Sequence, residues 1–135
     1  MDDKKLIELA FAAREFSYSP YSQFQVGAAL LAKDGQVFTG CNIESAAYSP
    51  TNCAERTAFF KAISEGVTEF DAIAVVGSPA GVIAQLCHPC GVCRQVMAEF
   101  CDDDFRIVLT DSDCNIHVYS LAELLPHRFG AENLK

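Results

Sequence analysis

Cys53-Ala54-Glu55-Arg56 and, after a gap, Pro89-Cys90-Gly91-Val92-Cys93 offer three thiols and one carboxyl group at a spacing suited to a metal ion with an acid beside it. Three thiolates can hold one Zn²⁺ and leave the last corner of its tetrahedron to water. Catalytic zinc sites commonly keep that corner open, whereas structural sites close all four. Glu55, two residues from Cys53 on the same turn, is placed to take a proton from such a water and return it. The pattern points to a hydrolytic zinc enzyme. Arg56 is the candidate to donate to a thiolate sulfur and offset the charge that three thiolates bring to the ion; an exposed helix position is the alternative. Other arrangements stay open. Cys87, Cys90 and Cys93 stand at i, i+3 and i+6, so Cys87 together with Cys53 would close a four-cysteine structural site. Cys90-Gly91-Val92-Cys93 also has the spacing of a thiol redox pair. Cys41, Cys101 and Cys114 stand alone and read as small buried apolar residues.

Positioning these side chains requires helix starts, and the periodicity supplies them. Apolar residues at helical spacing predict a first helix over Lys4 to Phe16, ended before Pro20. Phe24 to Ala32 and Gln36 to Cys41 flank a Lys33-Asp34-Gly35 turn as a hairpin. Asn42 to Thr51 reads as a loop, Cys53 to Ser64 as a helix stopped by Gly66, and Ala72 to Val76 as a short buried strand. A loop over Ser78 to Leu86 leads to a helix from about Pro89 to Phe100, with Pro89 at the first helical position. Arg106 to Thr110 and Ile116 to Tyr119 are strands, and Leu121 to Leu125 is a short helix. This interleaving predicts an α/β fold: a three-layer α-β-α sandwich on a mixed five-stranded central sheet. Both metal-binding segments then fall at helix N-termini, whose partial positive charge favours thiolates.

The composition narrows the partners. The chain has 135 residues, 50% of them hydrophobic, and a net charge of −8, which reads as a single domain over residues 1–135. An acidic chain has no basic surface for a phosphate backbone, so nucleic acid is excluded in favour of a small, weakly charged substrate. No apolar run reaches the roughly 18 residues of a membrane span, and the first residues lack the apolar stretch of a secretory signal. Seven cysteines without export features predict reduced thiols and a cytoplasmic location.

Cys-Ala-Glu followed by Pro-Cys-x-x-Cys resembles the zinc-dependent nucleoside deaminase pattern, here with Cys53 as first ligand. Ser19-Pro20-Tyr21-Ser22-Gln23-Phe24-Gln25-Val26-Gly27-Ala28-Ala29, Asn42-Ile43-Glu44-Ser45-Ala46-Ala47-Tyr48, Leu124-Leu125-Pro126 and Phe129-Gly130 extend the likeness over nearly the whole chain, and it is to the small homotetrameric cytidine deaminases. The resemblance implies hydrolytic deamination of cytidine and 2′-deoxycytidine with one Zn²⁺ per subunit on Cys53, Cys90 and Cys93, and Glu55 as proton carrier. It implies that Asn42 and Glu44 grip the ribose hydroxyls, that Phe24 stacks on the base, and that the Ala54 amide meets the pyrimidine carbonyl. It places Tyr48 near a subunit interface and Phe129 in a neighbouring subunit's pocket. A deaminase of the same fold acting on blasticidin S, or a zinc-stabilised interaction module, is the competing reading. Two departures stand out: Ser45 replaces the usual Asn, and Cys87-His88 precedes Pro89 where smaller residues or Pro are common.

Overall fold

The computed structural model describes residues 1–135. Its elements are α1 (Asp3–Arg14), β1 (Phe24–Ala32), β2 (Val37–Cys41), α2 (Ala54–Ser64), β3 (Phe70–Pro79), α3 (Gly91–Phe100), β4 (Arg106–Thr110), β5 (Ile116–Ser120) and α4 (Leu121–Leu124), followed by a 3₁₀ turn at Ala131–Leu134. The five strands form one sheet in the order β2-β1-β3-β4-β5. β3 and β4 pair in parallel across the α3 crossover, and the other three pairings are antiparallel. The sheet is therefore mixed and five-stranded, as the interleaving predicts.

Strand alternation divides the core into two layers. Ala28, Leu30, Ile73, Val75, Ile107 and Leu109 face α2 and α3, where they meet Ala58, Phe59, Ala62, Cys93 and Met97. Ala29, Leu31, Ala72, Ala74, Val76 and Val108 face α1 and pack on Leu6, Ile7 and Ala10. Small residues let the helices sit close. A Cβ at Gly27 would lie 2.1 Å from the Ala10 carbonyl oxygen of α1, and one at Gly40 would lie 2.5 Å from the Ala54 carbonyl oxygen and 2.6 Å from the Ala58 nitrogen of α2. Gly40 thus fixes how near the first turn of α2 approaches β2, and with it the height of Cys53 and Glu55 over the sheet.

Several boundaries differ from the periodicity. α1 ends at Arg14 because the Tyr18 N–H pairs with the Asn42 carbonyl at 3.0 Å and draws the chain toward the end of β2. β3 runs on to Pro79 through residues with little strand propensity, carried by its ladder to β1 from Phe24↔Pro79 to Ala32↔Phe70. α3 starts at Gly91, so Pro89 is not its first helical residue. Cys90 caps the helix instead, its Sγ accepting from the Cys93 N–H at 3.5 Å. Cys114, expected to be buried, is exposed in the β4–β5 turn with φ 63°.

Candidate metal centre and active site

Two helix N-termini meet at the ends of the strands. Cys53 is the N-cap of α2 and Cys90 the N-cap of α3, while Cys93 lies buried on the first turn of α3. Cys53 Sγ stands 3.7 Å from Cys90 Sγ, and Cys90 Sγ 3.5 Å from Cys93 Sγ; all three sulfurs lie within 4.8 Å of one another. A tetrahedral ion with Zn–S bonds of 2.3 Å would space its sulfurs roughly 3.8 Å apart. The triad therefore fits Zn²⁺ with little adjustment. Cys87 is not part of it: its thiol packs over Gly77, where an added Cβ would come within 2.7 Å of Sγ. Burial pushes the Cys87 thiol up to about 12, so it is neutral near pH 7. Nothing closes a four-cysteine site.

The electrostatics suit metal binding. A hydrogen bond from the Cys93 thiol, with another from the Arg56 guanidinium, pulls Cys53 down to about 5, making sulfur 53 a thiolate at neutral pH. The shared proton stays with Cys93, whose own ionisation is pushed up by the same contact. Arg56 Nη2 donates to Cys53 Sγ at 3.2 Å. Its Nε is buried without an acceptor among the protein's atoms, so the guanidinium keeps spare donor capacity beside a cluster that concentrates negative charge. Glu55, on the first turn of α2, is 4% exposed. Burial is the main cause that raises its carboxyl to about 7.

A cleft of about 280 Å³ opens beside the sulfurs. Phe24, Asn42, Glu44, Cys53, Ala54, Glu55 and Cys90 all line it. Asn42 serves the backbone first: its Oδ1 accepts from the Val26 N–H at 3.0 Å and from the Ser17 hydroxyl, and its Nδ2 donates to the Phe24 carbonyl at 2.8 Å. One amide hydrogen remains for a ligand. The Glu44 carboxylate accepts from the Ser22 hydroxyl and from the N–H groups of Ser22 at 3.1 Å and Tyr21 at 3.0 Å. The Ser22 hydroxyl leads these contacts in holding Glu44 below the usual carboxylate range. Phe24 is half-buried, its Cε1 3.2 Å from where a Cβ on Gly77 would stand. Cys53 makes no side-chain capping bond to α2, which leaves the Ala54 N–H able to bind a ligand.

Tyr48 and Phe129 lie outside this cleft and are 78% and 59% exposed. Tyr48, with φ 60°, instead lines an adjoining hollow of about 310 Å³ that shares Ser22, Glu44 and Thr51 with the cleft. Ser22, Val26, Thr51 and Asn52 also line the cleft: Ser22 and Val26 lie in the Ser19–Ala29 block without an individual role assigned from sequence, and the Ile43–Asn52 bridge brings in the Thr51–Asn52 end of the loop. Ser45, the first departure, is held in its loop by the Thr51 hydroxyl, which accepts from the Ser45 N–H at 2.9 Å. His88, the second, is exposed at the cleft rim, its ring 5.3 Å from that of Tyr119.

With triad, acid and cleft on one mixed sheet, the chain belongs to the family of the cytidine and deoxycytidylate deaminase zinc-binding region, whose model matches residues 1–109. It is 54% identical over 134 residues to the cytidine deaminase of Sporosarcina psychrophila, covering 99% of this chain and 96% of that one. It is 52% identical to the cytidine deaminase of Halalkalibacterium halodurans, covering 99% and 98% respectively. The crystal structure of cytidine deaminase from Burkholderia pseudomallei superposes with a TM-score of 0.87 at 50% identity, over 96% of this chain and 100% of that chain.

Proposed function

We propose that this protein catalyses the zinc-dependent hydrolytic deamination of cytidine and 2′-deoxycytidine, giving uridine and 2′-deoxyuridine with release of ammonia, as one catalytic domain over residues 1–135 serving pyrimidine salvage. The supporting observation is that Cys53 and Cys90 of the Cys53–Cys90–Cys93 triad line one cleft together with buried Glu55. Zn²⁺ on the three sulfurs supplies the Lewis acidity that lets water lose a proton near neutral pH. Glu55 takes that proton and carries it to ring N3 as the water oxygen bonds to C4. It then moves a second proton from the added oxygen to the amino nitrogen, the C4–N4 bond breaks, and ammonia leaves. A carboxylate buried in the cleft wall and tied to Cys53 by two residues is held against the reacting atoms without searching for them.

Phe24 stacks on the pyrimidine, the Ala54 N–H meets its carbonyl, and the remaining Asn42 hydrogen and the Glu44 carboxylate bind the sugar hydroxyls. Glu44 has most of its acceptor sites filled by the Tyr21–Ser22 turn, which fixes its orientation. Arg56 holds negative charge off the metal by donating to Cys53. Phe24 is the cleft's one phenyl ring. A homotetramer in which Phe129 and Tyr48 of one copy complete the site of another would bring further aromatic rings to it. All seven cysteines are free, which agrees with a cytoplasmic location. No helix is long and apolar enough to cross a membrane.

The test is direct: incubate the purified zinc form with cytidine, following ultraviolet absorbance and ammonia beside a zinc-stripped control, with blasticidin S as a competing substrate. Conversion of cytidine only by the zinc form is expected; none, or a marked preference for blasticidin S, would overturn the assignment.

A further inference from the structure

If Phe129 completes a second copy's cleft, its ring must be held in place, and the backbone contributes little. Residues 126–130 make a single backbone–backbone hydrogen bond, the Gly130 carbonyl accepting from the Asn133 N–H of the adjoining 3₁₀ turn, and none to the sheet or to α1–α4. A segment without such bonds orders only through its side-chain contacts. Two side-chain contacts tie it down. Arg128, its own side chain 22% exposed, pairs with Asp103, whose side chain is 72% exposed, so solvent screens the Asp103 half of the contact. Gln95 Nε2 donates to the Phe129 carbonyl itself at 2.8 Å. Gln95 sits on α3 two residues after Cys93, and the helix is anchored there by buried Cys93 and Met97. Just before it, Arg94 donates from Nε to the Pro89 carbonyl at 2.7 Å and from Nη1 to the Leu124 carbonyl at 2.6 Å, fastening the root of the arm to the segment that leads into Cys90.

We propose that Gln95 is a positioning residue: by fixing the Phe129 carbonyl, it presents the Phe129 ring to the nucleoside cleft of a second copy. It acts there on substrate binding and not on the metal of its own chain. The inference rests on the reading that Phe129 completes a neighbour's site, and the experiment separates the two.

The intact zinc protein and its Gln95→Ala, Gln95→Lys, Phe129→Ala and Gln95→Ala/Phe129→Ala variants are compared for kcat and KM with cytidine, zinc per chain and native mass. Loss of one neutral hydrogen bond predicts a KM rise of about three- to ten-fold in Gln95→Ala, with kcat within about two-fold of the parent. Zinc content and native mass stay unchanged, Gln95→Lys recovers part of the loss because it keeps a donor, and the double variant is no worse than Phe129→Ala. A raised KM in Phe129→Ala with none in Gln95→Ala, or effects that simply add, overturns the role of Gln95 and leaves that of Phe129. Loss of zinc or of assembly in Gln95→Ala makes Gln95 structural and overturns it too. An unchanged KM in Phe129→Ala removes the underlying reading, and the inference with it.

Discussion

Glu55 and Arg56 are neighbours in sequence and make opposite contributions. Glu55→Gln keeps the shape and burial of the side chain but cannot accept a proton. We expect it to retain zinc, measured by metal analysis, while turnover falls by several orders of magnitude; near-normal turnover would remove Glu55 from the mechanism. Arg56→Gln replaces the guanidinium that donates to Cys53 Sγ by a shorter, uncharged amide. Zinc affinity or activity should then drop about 10–100-fold, the usual cost of losing a partner of a metal ligand, read by chelator competition. At this scale the sequence is legible because the chemistry needs particular atom types: a thiol with an acid two residues on, and a Cys-x-x-Cys pair later in the chain, are the donor set of an open zinc site. Asn42 shows the limit. Its amide looks free in the sequence but spends most of its hydrogen bonds on Ser17, Phe24 and Val26, residues that only the hairpin and the end of α1 bring near.

Elements set the distances that residue types cannot. The approach of α2 to β2 hangs on Gly40. Gly40→Ala would place a methyl group against the Ala54 carbonyl oxygen and the Ala58 nitrogen, both backbone atoms that cannot rotate aside. Denaturant titration should show a loss of about 1–3 kcal/mol, with weaker zinc retention because Cys53 moves with the helix. The β4–β5 turn carries a pH-dependent contact: the His117 side-chain hydrogen bond, with the N–H groups of Asn115 and Asp113, holds Asp111 down at about 2. A carboxylate whose folded value lies below its unfolded value of 3.8 stabilises the fold above that value and ceases to do so as pH falls through about 2. The stability gap between the parent and Asp111→Asn, measured by thermal melts, should therefore be fully present just above pH 3.8 and vanish toward about pH 2. The strands and helices follow from alternation and 3.6-residue spacing. The extension of β3 to Pro79 and the retreat of α3 to Gly91 do not, because a neighbouring ladder and a sulfur cap outweigh local propensity.

Over the whole molecule, the metal is also a structural tie. Cys53 at the start of α2 and Cys90 and Cys93 at the start of α3 tie the N-termini of two helices to one ion. A ligand bound by the folded state alone stabilises it by mass action, so chelation should lower the melting temperature and added zinc restore it. The sequence by itself determined the donor atoms, the acid beside them, the two-layer apolar pattern and the acidic surface, because these depend on residue type and short-range periodicity. Only the tertiary structure decided that Cys87 stays out of the cluster, that Ser22 and Thr51 join the cleft, and that the arm bearing Phe129 hangs from α3. Each depends on distances between segments far apart in the chain, and those distances are set by packing across the sheet.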